Sequence, residues 1–210
     1  MRDVAHLLRF GARGPQSYER LYVDPQDVQL SYCKHLPDVP SFSRRHSGAI
    51  VGGDWDRATR DIEASPKMRA CRLHFEEGQS WEDTGIFDYM MARIENGKPF
   101  DSCHNLDDVH ERYRQIDALY ESIRRAGVIR SRAHHVLGVP REGDGIFIHF
   151  GRDGHPIFGM IGNHRMAIAR ILKLPRIPVQ LGVLHKEAFE AGHLTELRQG
   201  SAFPERAIST

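Results

Sequence analysis

A glycine-led turn that runs directly into a short helix, Gly162-Asn163-His164-Arg165-Met166 and on to Leu172, limits the folds open to this chain more than any other stretch. Apolar runs flank it: Ile146 to Phe150 and Pro156 to Met160 before it, Leu174 to Leu181 after it. The pattern predicts hairpin, glycine turn, helix, strand. Glycine supports a backbone angle that other residues resist and lets a ligand approach the main chain. The helix beginning beside it presents unpaired N–H groups and the positive end of its dipole, a seat for an anion. Arg165 adds a planar fork suited to phosphate or carboxylate. The alternative is a glycine turn capped by Asn163, with His164 and Arg165 solvated.

The run from Leu106 to His185 resembles the ParB/sulfiredoxin fold. The resemblance rests on Leu119 to Ile129 at the end of a helix, a hairpin, the Gly-x-x-Arg turn Gly162 to Arg165, the helix from Met166, and Leu174-Pro175-Arg176-Ile177-Pro178-Val179. It implies an α+β architecture, a small mixed sheet with packed helices. It also implies a nucleotide held at Gly162, Asn163, His164, Arg165 and Met166, with ATP or another nucleotide and magnesium as cofactors. Members of that superfamily include DNA-binding partition proteins, sulfiredoxins and free-serine kinases. Sulfiredoxins carry cysteine where this chain has Asn163, so their sulfur chemistry is not expected. Partition proteins usually place an acidic residue at that position and arginine at His164. The kinase branch matches Gly162-x-His164-Arg165 better, although its aspartate before the glycine is Ile161 here. The implied activity is phosphoryl transfer to a small hydroxyl-bearing molecule.

Composition narrows the field. In 210 residues, 40% are hydrophobic and 27% charged, with a formal net charge of +1, an ordinary globular balance without a basic coat for nucleic acid. Cys33, Cys71 and Cys103 are odd in number and widely spaced, which points to reduced thiols and a cytoplasmic setting rather than to disulfides or a zinc site. Residues 1–10 are too short and too charged for a signal peptide or membrane span. Thirteen histidines is a high count, but most stand singly, and the adjacent His134-His135 project differently in any regular element.

Further motifs fill in the remainder. Leu21-Tyr22-Val23 predicts a strand, and residues 31–53 read as irregular, with an Arg44-Arg45-His46 cluster between serines. Gly52-Gly53-Asp54-Trp55-Asp56 is a second candidate site. Its glycines permit a sharp turn, and two carboxylates beside an aromatic suit acid–base work or a magnesium ion. The same residues also suit a turn in which the aspartates cap a neighbouring helix and Trp55 packs. On the catalytic reading Asp54, Asp56 and His164 carry the chemistry, with Trp55 and His185 as substrate contacts. Ser65-Pro66 opens a helix closed by Gly78, and Ser80-Trp81-Glu82-Asp83 opens another in capping-box fashion. Leu106 to Ala126 is an amphipathic helix stopped by Gly127. Arg152-Asp153-Gly154 marks a hairpin turn. Pro178 places its strand at an edge or at a strand beginning, and residues 187–197 predict one last helix. The expected organisation is a mainly helical elaboration at 1–104, a core at 105–190 and a tail at 191–210. Arg124, Arg125, Arg130 and Arg132 form a basic patch, the basis of a second expectation, a DNA-associated protein. A third is a non-catalytic sensor that binds an anion and meets a partner through residues 31–104.

Overall fold

The computed structural model describes residues 2–94, 99–131 and 141–200. Arg132, the His134-His135 pair, the Asn96-Gly97 stop and the tail from Ser201 lie outside the described residues. The fold is α+β, as expected, with seven helices and a seven-stranded mixed sheet among the described residues. The helices in chain order are α1 (Arg2–Phe10), α2 (Pro66–Phe75), α3 (Ile86–Ile94), α4 (Leu106–Ala126), α5 (Asn163–Ile171), α6 (Lys186–Glu190) and α7 (His193–Gly200). The strands are β1 (Arg20–Val23), β2 (Leu30–Tyr32), β3 (Ala49–Val51), β4 (Thr59–Asp61), β5 (Ile146–Phe150), β6 (Pro156–Phe158) and β7 (Ile177–His185). The chain divides into two compact units. The first is Met1–Arg60, Arg130–Gly162 and Pro175–Thr210; the second is Asp61–Ile129 with Asn163–Leu174. Residues 104 and 105 both belong to the second unit, and 190 and 191 both to the first.

In the first unit the sheet runs β1-β7-β5-β6-β2-β4, with β3 also pairing β7. β7 is its axis: all of its residues are buried, it lies parallel to β5 and β3, and antiparallel to β1. A strand covered on both faces reads as a near-continuous apolar run rather than an alternating one, and Ile177 to Leu184 does so except at Gln180, which is buried and accepts a hydrogen bond from Arg44. Pro178 stands second in this inner strand, opposite Tyr22, so the strand-beginning reading holds and the edge reading does not. Residues 31–53 are less irregular than expected, since they contribute to β2 and supply β3. A stacked and edge-on cluster of Tyr32, Phe42 and Trp55 packs with Ile157 and Val183 to form a core. The last helix is two: Gly192, at φ +89, separates α6 from α7.

The second unit is helical. Asn105 caps α4, its side chain accepting from the Asp108 amide, and Gly127 ends it in the left-handed region at φ 66. Val109, Tyr113, Ile116 and Ile123 form its buried stripe. Trp81 stacks on His74 with ring centroids 3.9 Å apart and donates from Nε1 to Asp117 at 2.9 Å, pinning α2 to α4. Residues 80–84 make turns rather than a helix: Ser80 and Asp83 do exchange hydrogen bonds, but Gly85 at φ +73 breaks the path before α3 begins. α5 is the most enclosed helix of this unit, with His164, Met166, Ala167, Ile168 and Ala169 buried, and it packs on α2 and α4.

Candidate functional site

Two clusters gather the residues singled out by the sequence, one in each unit. In the first, Gly53 turns the chain after β3 at φ +86 and delivers Asp54-Trp55-Asp56. Opposite stands the β5–β6 hairpin, whose turn closes through Gly151 N–H to the His155 carbonyl at 3.0 Å, with Gly154 at φ +79. That turn presents Arg152. Its guanidinium donates to Asp56 from Nε to Oδ2 at 2.9 Å and from Nη2 to Oδ1 at 2.7 Å. Nη2 also reaches Asp54 Oδ1 at 2.8 Å, and the Arg152 backbone amide donates to Asp56 Oδ2 at 2.9 Å. Burial pushes the Asp56 carboxyl up, but the Arg152 guanidinium and amide outweigh it and hold the group down to about 2. Arg152, with Arg57 beside it, keeps Asp54 low as well.

The cluster is therefore a fixed, ionised clamp. Both oxygens of Asp56 already accept hydrogen bonds, so a resident magnesium ion at this pair would have to displace the guanidinium. The donor set as it stands does not fit one. Trp55 is 3% exposed, donates from Nε1 to the Val51 carbonyl at 3.1 Å, and belongs to the core. His185 is equally enclosed. It accepts at Nδ1 from the Glu187 amide at 3.2 Å and lies 2.8 Å from the Gly53 carbonyl at Nε2, so it carries its proton on Nε2, caps α6 and braces the turn. A cavity of about 760 Å³ lies alongside, walled by Asp56, Arg57, Arg152, Asp153, Tyr22 and Arg176 among others.

The second cluster forms around the first turn of α5. His164 is buried there, its ring edge-on to Tyr113 with centroids 5.7 Å apart. Lys67, from the first turn of α2, is 7% exposed and donates to Asp101 Oδ2. Arg112 of α4 lies 4.0 Å from the same oxygen. Burial, reinforced by the charges of Lys67 and Arg112, depresses His164 to about 3, so the ring is neutral at ordinary pH. The carboxyl of Asp101 is raised by burial but lowered more by Lys67 and Arg112. Among the described residues, Arg112 Nε, Tyr113 Oη and His164 Nε2 are buried with no hydrogen-bond partner. Asp101 and Ser102 stand consecutively in the left-handed region, at φ 52 and 65, a conformation that non-glycine residues hold only under constraint.

The Gly-x-x-Arg turn itself divides: Gly162 belongs to the first unit and Asn163, His164, Arg165 and Met166 to the second. Gly162 is at φ +88, and a Cβ there would lie 3.1 Å from Ile146 Cα. The space at this glycine is filled by β5, so its conformation and packing account for the residue. Asn163 and Arg165 are half-buried and Met166 is buried. Asp54, Asp56, Trp55 and His185 come together in the first unit.

Sequence reasoning missed Arg152 as the partner of the aspartates, and Lys67, Asp101 and Arg112 as the surroundings of His164. Lys67 carried a signal: a cation in the first turn of a helix opposes the dipole and wants a local anion. A scan against protein-family models and searches of curated proteins and of solved structures return no match to this chain.

Proposed function

We propose that the protein binds a phosphate-bearing small molecule, a nucleotide, at the cluster around the first turn of α5, and transfers a phosphoryl group from it to a small hydroxyl compound. The observation that carries the reading is the set of buried polar atoms without partners, Tyr113 Oη, His164 Nε2 and Arg112 Nε, beside Lys67. Leaving such groups unpaired costs about 1–3 kcal/mol each, and native proteins keep them where a ligand, ion or water completes the bonding. Two cations, Lys67 and Arg112, face one carboxylate, Asp101, leaving net positive charge for an anion. Phosphoryl transfer asks a protein mainly for positioning and charge stabilisation, and the helix N-terminus with Lys67 and Arg112 supplies both. Neutral His164 contributes hydrogen bonding rather than charge. The resemblance of Gly162 to Arg165 to the ParB/sulfiredoxin fold supports the same ligand class, with magnesium entering on the nucleotide.

Calorimetric titration with ATP, ADP and CTP, with and without magnesium, tests the binding. A saturable heat that Arg165→Ala and Lys67→Met each abolish is expected; silence with all three nucleotides removes the proposal. One observation favours a second reading, a sensor without turnover: Asp54 and Asp56, the expected proton acceptors, are committed to Arg152. Product analysis after prolonged incubation with ATP and candidate hydroxyl compounds separates the two. The basic-patch reading has weaker support, because Arg124 is already paired with Glu121 at 2.8 Å. Among the described residues no helix is long and apolar enough to cross a membrane, and Cys33, Cys71 and Cys103 are free thiols. A cytoplasmic setting, the compartment that keeps thiols reduced, is part of the proposal.

A further inference from the structure

We infer that the Asp101 carboxylate is an internal stand-in for the ligand's phosphate, occupying its place between Lys67 and Arg112 and leaving when the phosphate arrives. The inference rests on the phosphate-binding reading above and adds its regulation. Lys67 Nζ bonds to Asp101 Oδ2, and the nearest Arg112 nitrogen faces that same oxygen at 4.0 Å, so one carboxylate oxygen sits where two cations converge. A carboxylate offers two oxygens and a terminal phosphate offers three, with more charge. The mismatch is visible in Tyr113 Oη and His164 Nε2, which Asp101 leaves without a partner among the described residues. A phosphate seated at Lys67 and Arg112 has acceptors to spare for them.

The loop carrying Asp101 is a tight two-residue turn. Asp101 and Ser102 are both left-handed, and reciprocal hydrogen bonds between Phe100 and Cys103 at 3.0 and 3.1 Å cinch the turn. Positive φ at both central residues inside that reciprocal pair is the pattern of a two-residue primed hairpin turn, and this turn carries the Asp101 carboxylate to Lys67. Once the phosphate takes Lys67, the ion pair that holds Asp101 inward is broken and the carboxylate is released. The resting protein is thereby closed to weak anions and opened by one with enough charge to displace a carboxylate.

The test compares the full chain with Asp101→Asn and Ser102→Gly, titrating each calorimetrically with inorganic phosphate and with ATP, and following thermal unfolding of each. Asn keeps the shape and removes the competing charge, so Asp101→Asn is expected to bind phosphate about tenfold more tightly, as when a minor competent state becomes dominant. Glycine accepts the left-handed angle without strain and steadies the closed loop, so Ser102→Gly is expected to bind several-fold more weakly. Equal or weaker binding by a folded Asp101→Asn overturns the inference while the wild-type affinity leaves the phosphate site standing. Should Asp101→Asn not fold, equal or tighter binding by Ser102→Gly overturns it. Silence of the wild type together with both variants overturns the site and its gate alike.

Discussion

Arg152 holds Asp56 by two edges at once: the guanidinium grips both carboxylate oxygens, at 2.7 and 2.9 Å, while the backbone amide of the same arginine donates to Oδ2 at 2.9 Å. Three charge-assisted bonds converge on a carboxylate that is 6% exposed, from a side chain that is 26% exposed. Bidentate charge-assisted bonds are the strong kind, and removing either partner would leave the other charge without its counterpart.

The clamp makes stability acid-sensitive in a defined window. Asp56 titrates at about 2 in the folded chain, below the ordinary carboxylate value of about 4. Its contribution is present above that ordinary value and is lost as pH falls from about 4 towards 2, amounting to about 2 kcal/mol in all. Arg152→Met leaves the buried carboxylate unpaired and is expected to cost about 3 kcal/mol at pH 7. The gap between variant and wild type should then narrow as pH is lowered to 3. Urea unfolding at both pH values measures it, and a gap independent of pH would show that Arg152 acts through packing alone.

A second acid effect operates nearer neutrality. His149 is fully enclosed in the first unit, accepting at Nδ1 from the Val183 amide at 2.9 Å, and burial depresses it to about 3. The unfolded chain takes up a proton below about 6.5 that the folded histidine refuses, so stability falls with pH by about 1.4 kcal/mol per unit for this group. His164 adds the same slope in the second unit. His149→Phe keeps the ring but leaves the Val183 N–H unpaired, at a cost of about 1–3 kcal/mol at pH 7. Between pH 6.5 and pH 5 the variant should lose about 2 kcal/mol less than the wild type. Parallel pH profiles would refute this assignment.

How far the fold was legible follows from range. α4 could be read because its stripe and its Gly127 stop are both local, and the β5–β6 hairpin because Arg152-Asp153-Gly154 marks its turn. β2, β3 and β4 are three residues each, too short for an alternating pattern, and exist because distant strands pair with them. The sites divide the same way. Asp54 and Asp56 stood out beside a pair of glycines, but the arginine that fixes their state lies 96 positions from Asp56. His164 stood out in its turn, while Lys67, 97 residues earlier by its number, and Asp101 looked like parts of an ordinary helix start and a connection. Spacing reveals which residues share an element; it does not reveal which charges a tertiary contact will join.

Gly162 offers the sharpest test of what the glycine turn is for. If the residue is glycine so that a ligand can approach, alanine should fold normally and bind poorly. The geometry argues for stability instead: φ is +88, and the added Cβ would sit 3.1 Å from Ile146 Cα and 3.2 Å from its Cγ1. The left-handed angle costs an alanine about 1–2 kcal/mol, and crowding in a packed interior adds about 1–3 kcal/mol. Gly162→Ala should therefore destabilise the fold by about 2–5 kcal/mol. Because the nearer contact is to backbone, which truncation cannot remove, adding Ile146→Ala should recover only the part due to Cγ1. A double-mutant cycle in urea reads that coupling. Native stability of Gly162→Ala with loss of nucleotide binding would return the glycine to the ligand.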